Sequence, residues 1–248
     1  MNLSTDDETE MTLDPPGRIA IVGAGPLGLE AALYGRYLGY EVEVFEKGVI
    51  GQTWLADLDA PLPMLPGRCL SPLAIAALKA HDGGLAVPGD PTFPMTIGQW
   101  VSSGLVRLAS TDLLANRIHT QCNVVAIEAI ETIETIIGPP LEADQTVAGE
   151  DDSYIDGEVP PDYRLKMEAF DGVRTFEAEA VIIACGDEPP EAIAGYLQCE
   201  GSPYLFRIGH PGTQEDADGL LRGWREIVRV YAGLGGRAGL DLYRPVRS

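Results

Sequence analysis

The chain is poor in the groups that build metal and hydrolytic sites, with four cysteines and three histidines in 248 residues. Cys69, Cys122, Cys185 and Cys199 are widely separated and form no C-x-x-C pair, so neither a structural zinc site nor a dithiol redox centre can be read from their spacing. His81, His119 and His210 have no neighbours in the sequence that suggest a nucleophile beside its base. Basic residues are scarce too: 17 against 38 acidic ones, a formal charge of -21. A surface that negative repels phosphate backbones and anionic headgroups, which argues against nucleic acid and membrane partners. No apolar run approaches the roughly 20 residues that span a bilayer. The opening "MNLSTDDETEMTLD" is acidic where a signal peptide is basic. These absences point to a reduced, cytoplasmic setting.

What is present is a chain 45% hydrophobic, enough for a sizeable core. Residues 1–16 read as a solvated acidic tail, with order beginning near Arg18 and a single domain over 17–248. "IAIV" has the continuous apolar character of a strand buried on both faces. "PLGLEAALYGRYLG" follows with helical spacing, and "EVEVFEK" is a second strand, completing a βαβ unit. The stretch from Val49 to Pro72 has no sustained period and is rich in Pro and Gly, so it reads as a long irregular segment. Ser71 is placed to cap a helix through "LAIAALKA" with Pro72 at its first position, and "TIGQWVSSGLVRLAS" reads as another helix.

"CNVVAIEAIETIETI", "DYRLKMEAF", "VRTFEAEA" and "AVIIACG" then have strand character and fit an antiparallel meander flanking the parallel sheet. An acidic, Gly- and Pro-rich connection at about 138–162 interrupts them and reads as an exposed loop. "PYLFRIGHPG" suggests a strand and turn, and "DADGLLRGWREIVRVYAGLGG" an amphipathic helix. The expected fold is α/β: a Rossmann-like parallel sheet with helices, plus an antiparallel β-meander.

Gly23, Gly25 and Gly28 form G-x-G-x-x-G directly after the first strand and at the start of a helix. Gly23 allows the tight turn, Gly25 lets the backbone approach a pyrophosphate, and Gly28 lets the helix pack on the strand. The helix N-terminus then offers its free N–H groups to the anion, and Pro26 has no N–H to waste there. Glu46 ends the second strand eighteen residues after Gly28, where a carboxylate can accept from both ribose hydroxyls of an adenosine and disfavours a 2'-phosphate. The pattern points to a dinucleotide and leaves FAD and NAD both open.

"IAIVGAGPLGLEAALYGRYLGYEVEVFEKG" resembles the FAD-binding segment of flavoproteins with two dinucleotide-binding domains, the flavin-containing monooxygenases and pyridine nucleotide-disulfide oxidoreductases. The resemblance implies that Leu27 and Lys47 accompany the glycines and Glu46 at the cofactor. "GQTW", with Gln52, Thr53 and Trp54, resembles the G-G-x-W segment near the flavin, and "VVAIE" the strand whose backbone, around Val124, meets the adenine. "VIIACG" resembles the A-T-G segment, with Cys185 in the Thr position before Gly186. "YLFRIGH" resembles the late strand ending in G-D, so that Gly209 is matched while His210 stands where the family has Asp. Only 22 residues separate Gly186 from Gly209, where the family carries an NADPH domain of on the order of 100 residues.

The implied function is an FAD-binding flavoprotein, an oxidoreductase of monooxygenase or reductase type whose electrons come from an external donor, either a partner reductase or diffusible NAD(P)H. A non-catalytic nucleotide-binding module is the alternative, and an NAD-dependent dehydrogenase a weaker one. His210 is a candidate catalytic group beside the flavin. "YRLK", Tyr163 to Lys166, is one residue short of a dehydrogenase Tyr-x-x-x-Lys pair, and in a strand its two side chains face opposite sides.

Overall fold

The structure, a computed structural model, describes residues 12–81, 94–130, 163–186, 188–209 and 217–244. The acidic connection at 138–162, the first eleven residues and His210 lie outside them. Five strands form a parallel sheet: β1 (Arg18–Val22), β2 (Glu41–Phe45), β3 (Ile118–His119), β7 (Ala180–Ile183) and β8 (Leu205–Arg207), in the order β3-β2-β1-β7-β8. β4 (Cys122–Ala129), β5 (Tyr163–Ala169) and β6 (Gly172–Ala178) make the antiparallel meander. "AVIIACG", expected with these strands, instead supplies β7 of the parallel sheet: all four residues of that strand are buried, which suits a central strand covered on both faces.

Alternation along the central strands divides the core in two. Ile19, Ile21, Ala180 and Ile182 pack into one apolar cluster with the helices, whereas Ala20, Val22, Val181 and Ile183 pack into another with the meander. The parallel sheet is therefore the middle of three layers, which is why its strands are apolar on both faces. The helical layer holds α1 (Pro26–Leu38), α2 (Pro72–His81) and α6 (Ala217–Leu234). It also holds one continuous helical run made of α3 (Ile97–Trp100), a π-helical stretch (Val101–Val106) and α4 (Arg107–Ala109). The short α5 (Tyr196–Cys199) lies on the meander side, with Tyr196 and Cys199 in that core.

Local signals act where the sequence places them. Gly39, with φ +94°, ends α1 in the left-handed conformation. Ser71 Oγ accepts from Ala74 N at 3.0 Å and so caps α2, while Thr96 and Gln99 form a reciprocal capping box on α3. Tyr163 is buried and Lys166 exposed on β5, on opposite faces as strand parity requires. A second expectation needs correcting. Leu13, within the stretch read as a solvated tail, is 4% exposed; its N–H donates to Leu234 O, and its carbonyl accepts from Tyr40 Oη. A lone leucine in a polar stretch has no period to reveal it, so only its fit against Tyr40 and the end of α6 shows that packing starts before Arg18. Among the described residues no helix is long and apolar enough to cross a membrane.

Candidate functional site

The site grows from the carboxyl ends of β1 and β7, neighbouring strands from which the chain departs in opposite directions across the sheet. Such a switch point leaves a crevice that helices cannot fill. β1 runs into Gly23, whose φ of +107° a side chain would strain and whose Cβ would lie 2.6 Å from Ala184 O. Gly28 has no room either: its Cβ would fall 1.9 Å from Gly23 O. α1 can therefore start against the turn, with Gly25 as its N-cap, no capping side chain, and Pro26 in the first turn.

Three contacts lock this turn. Ala24 N donates to Glu46 Oε2 at 2.7 Å, Gly48 N donates to Glu46 Oε1 at 2.9 Å, and Gly51 N donates to Ala24 O at 3.1 Å. Glu46 is only 8% exposed, and each of its oxygens keeps a lone pair for a further donor such as a hydroxyl. The loop after β2 is thereby pinned to the glycine turn. Its Trp54 packs edge-on against the buried Trp100 with centroids 4.9 Å apart, at the start of the π-helical stretch. π-helical turns are often found at functional sites.

A cavity of about 670 Å³ opens here. Gly23 and Gly25 of the turn, Glu46 and Lys47 after β2, and Gln52, Thr53 and Trp54 of the loop line it. Val124 of β4, with Cys185 and Gly186 after β7, complete the predicted set that the fold brings together. Pro26, Leu27 and Gly28 are buried in the first turn of α1 and support the cavity without lining it. Gly209 also stays out of the lining: it has a φ of +71°, and its N–H donates to Glu226 Oε2 of α6 at 2.8 Å.

Phe45, Asn123, Val125, Asp57, Ile97 and the segment from Glu188 to Ile193 contribute walls that the sequence did not announce. Asn123 and Val125 enter because a register shift between Val124 and Ala126 bulges β4 at the cavity, a feature with no signal in the residue pattern. The second segment is held by a parallel bridge between Ala126 and Ala194.

Charge is distributed unevenly around the lining. Lys47 is the basic residue among the described lining residues, and its Nζ lies 2.6 Å from Glu188 Oε2. Burial, with Glu188 and Glu46 adding to it, pushes the Cys185 thiol up to about 12, and its S–H points to Val22 O at 3.7 Å. Cys185 is thus a neutral packing group at pH 7 and no nucleophile. Among the described residues no group of three or more His, Cys, Asp or Glu could hold a metal ion.

Fold and cavity together have the Rossmann-like architecture, a parallel sheet with helices and a separate three-stranded antiparallel sheet. No family model matches the chain, and no curated protein matches it. Among solved structures it is similar to S-allyl-L-cysteine S-oxygenase from Allium sativum (18% identity, 68% of this chain and 36% of that one, TM-score 0.40). It is similar also to the ornithine N-hydroxylase of Kutzneria sp. 744 with reduced FAD, NADP+ and L-ornithine (19%, 69% and 38%, TM-score 0.44). A third is the bacillithiol disulfide reductase of Bacillus cereus (16%, 86% and 56%, TM-score 0.45). The chain spans between about a third and just over half the length of these structures.

Proposed function

We propose that the chain binds FAD and is the flavin-holding part of an oxidoreductase of monooxygenase or reductase type, working in the cytoplasm. The observation that carries this reading is the convergence of the glycine turn, Glu46, the Gln52–Trp54 loop, Val124 and Cys185–Gly186 on one cavity. These segments are far apart in the chain, and a surface glycine turn with no ligand would not gather them.

The residues present fit the group. Gly23 and Gly25 line the cavity with backbone alone, which leaves room for a pyrophosphate, and the uncapped start of α1 favours its charge. Glu46 accepts from the adenosine ribose, and Phe45, Val124 and Ile193 offer apolar surface for the adenine. Gln52, Thr53 and Trp54 lie on the loop that would meet the flavin half. When bound, FAD supplies the electron transfer, while this chain orients it and shields it from water. Electrons come from an external donor, diffusible NAD(P)H or a partner reductase.

A non-catalytic FAD-binding module is the second reading, favoured by one observation: Cys185, the thiol in the described lining, is held neutral. Purified protein that is yellow and releases FAD on denaturation supports cofactor binding. Colourless protein that takes up no added FAD refutes it. Anaerobic bleaching by NADH or NADPH favours the enzyme over the module.

A further inference from the structure

The cavity carries Glu46, Asp57 and Glu188 against the ammonium of Lys47, an acidic balance for a site read as holding a pyrophosphate. Lys47 follows the carboxylate proposed to hold the adenosine ribose, so it is the cation placed to meet a phosphate on that ribose. It is already engaged. Its Nζ is 2.6 Å from Glu188 Oε2, a contact that joins the end of β2 to the segment after β7. Both side chains line the cavity while about half exposed, at 51% and 41%, so the pair bridges its rim.

We propose that Glu188 is a specificity-determining residue. By occupying Lys47 it withholds from the ligand the cation beside Glu46, so the cavity accepts a dinucleotide with a free ribose 2'-hydroxyl and rejects its 2'-phosphorylated counterpart. The inference rests on the reading that Glu46 holds the adenosine ribose.

An incoming 2'-phosphate has to displace a carboxylate from Lys47 and remain beside two carboxylates, Glu46 and Glu188. The ring hydroxyls of an unphosphorylated ribose donate to Glu46 and make no demand on Lys47. The pyrophosphate is served by the turn at Gly23 and Gly25 and is likewise independent of the lysine. An exposed ion pair adds little to stability. Its effect here is on the ligand: an ammonium paired with Glu188 offers an incoming dianion little net attraction, and freeing it returns that attraction.

The test loads the full chain with FAD and displaces it with ADP-ribose or with 2'-phospho-ADP-ribose, reading released flavin by fluorescence. Wild-type protein releases flavin to ADP-ribose at concentrations at least about tenfold lower than to the 2'-phosphate. Glu188→Gln narrows that ratio by about tenfold when Lys47 is present and leaves it unchanged in a Lys47→Met background, because the gain runs through the freed ammonium. A ratio unchanged by Glu188→Gln in a variant with the wild-type melting temperature overturns the proposal, as does wild-type protein displaced equally by both. Protein that neither takes up FAD nor binds either fragment by calorimetry fails at the FAD reading itself. Protein that binds FAD but shows no change in ratio fails only here.

Discussion

Glu30 offers a test of the fold that is independent of any ligand. It sits in the middle of α1 and is 3% exposed, with Ser71 Oγ donating to its Oε1. Burial pushes its carboxyl from an ordinary 4.5 up to about 7, the Ser71 hydrogen bond only partly opposing it. Between these two values the native state holds a proton that the unfolded chain has released. The contribution is therefore fully present below pH 4.5 and is lost as pH rises through about 7. A change of that size corresponds to roughly 3 kcal/mol at pH 8.

Glu30→Gln keeps an acceptor for Ser71 and removes the ionisation. The variant should match wild type within about 1 kcal/mol near pH 4.5 and exceed it by about 2 kcal/mol at pH 8, after allowance for one imperfectly satisfied amide donor. Urea unfolding followed by tryptophan fluorescence from pH 4.5 to 8.5 measures both curves. Curves that run parallel would refute the argument, because every other titrating group is common to the two proteins.

Gly28→Ala should cost about 3 kcal/mol or more, because its Cβ meets backbone, which cannot swing aside; chemical denaturation reports the loss. Glu46→Gln replaces one carboxylate oxygen with a donor facing the Ala24 or Gly48 N–H, and FAD affinity should fall at least about tenfold by calorimetry. Cys185, with its thiol at about 12, should resist iodoacetamide in native protein at pH 8 and react only after unfolding, as intact mass would show. Ser71→Ala removes both the cap of α2 and a donor to Glu30, and should lower stability by about 1–2 kcal/mol.

The local elements of this protein were legible in its residues because each rests on short-range chemistry. The glycine turn, its flanking strand and helix, and the cap at Ser71 need only neighbours within a few positions. The continuous apolar run of β1 likewise announced a strand buried on both faces, whereas only the fold showed that β7 pairs with it in parallel and not with the meander. Leu13 was missed because one apolar residue carries no period.

Tertiary structure decided what depends on segments distant in the chain. The bulge of β4 brings Asn123 and Val125 to the cavity, and the Ala126–Ala194 bridge places Pro189 to Ile193 beside them. The charge state of Glu30 follows from how α2 closes over α1, and the engagement of Lys47 from a residue 141 positions away. Residue types determined by themselves that a nucleotide turn is present. Only the packing of sheet, loop and meander around that turn decided the shape of the cavity and which of its charges a ligand can meet, because burial and distance belong to the fold and not to the order of residues.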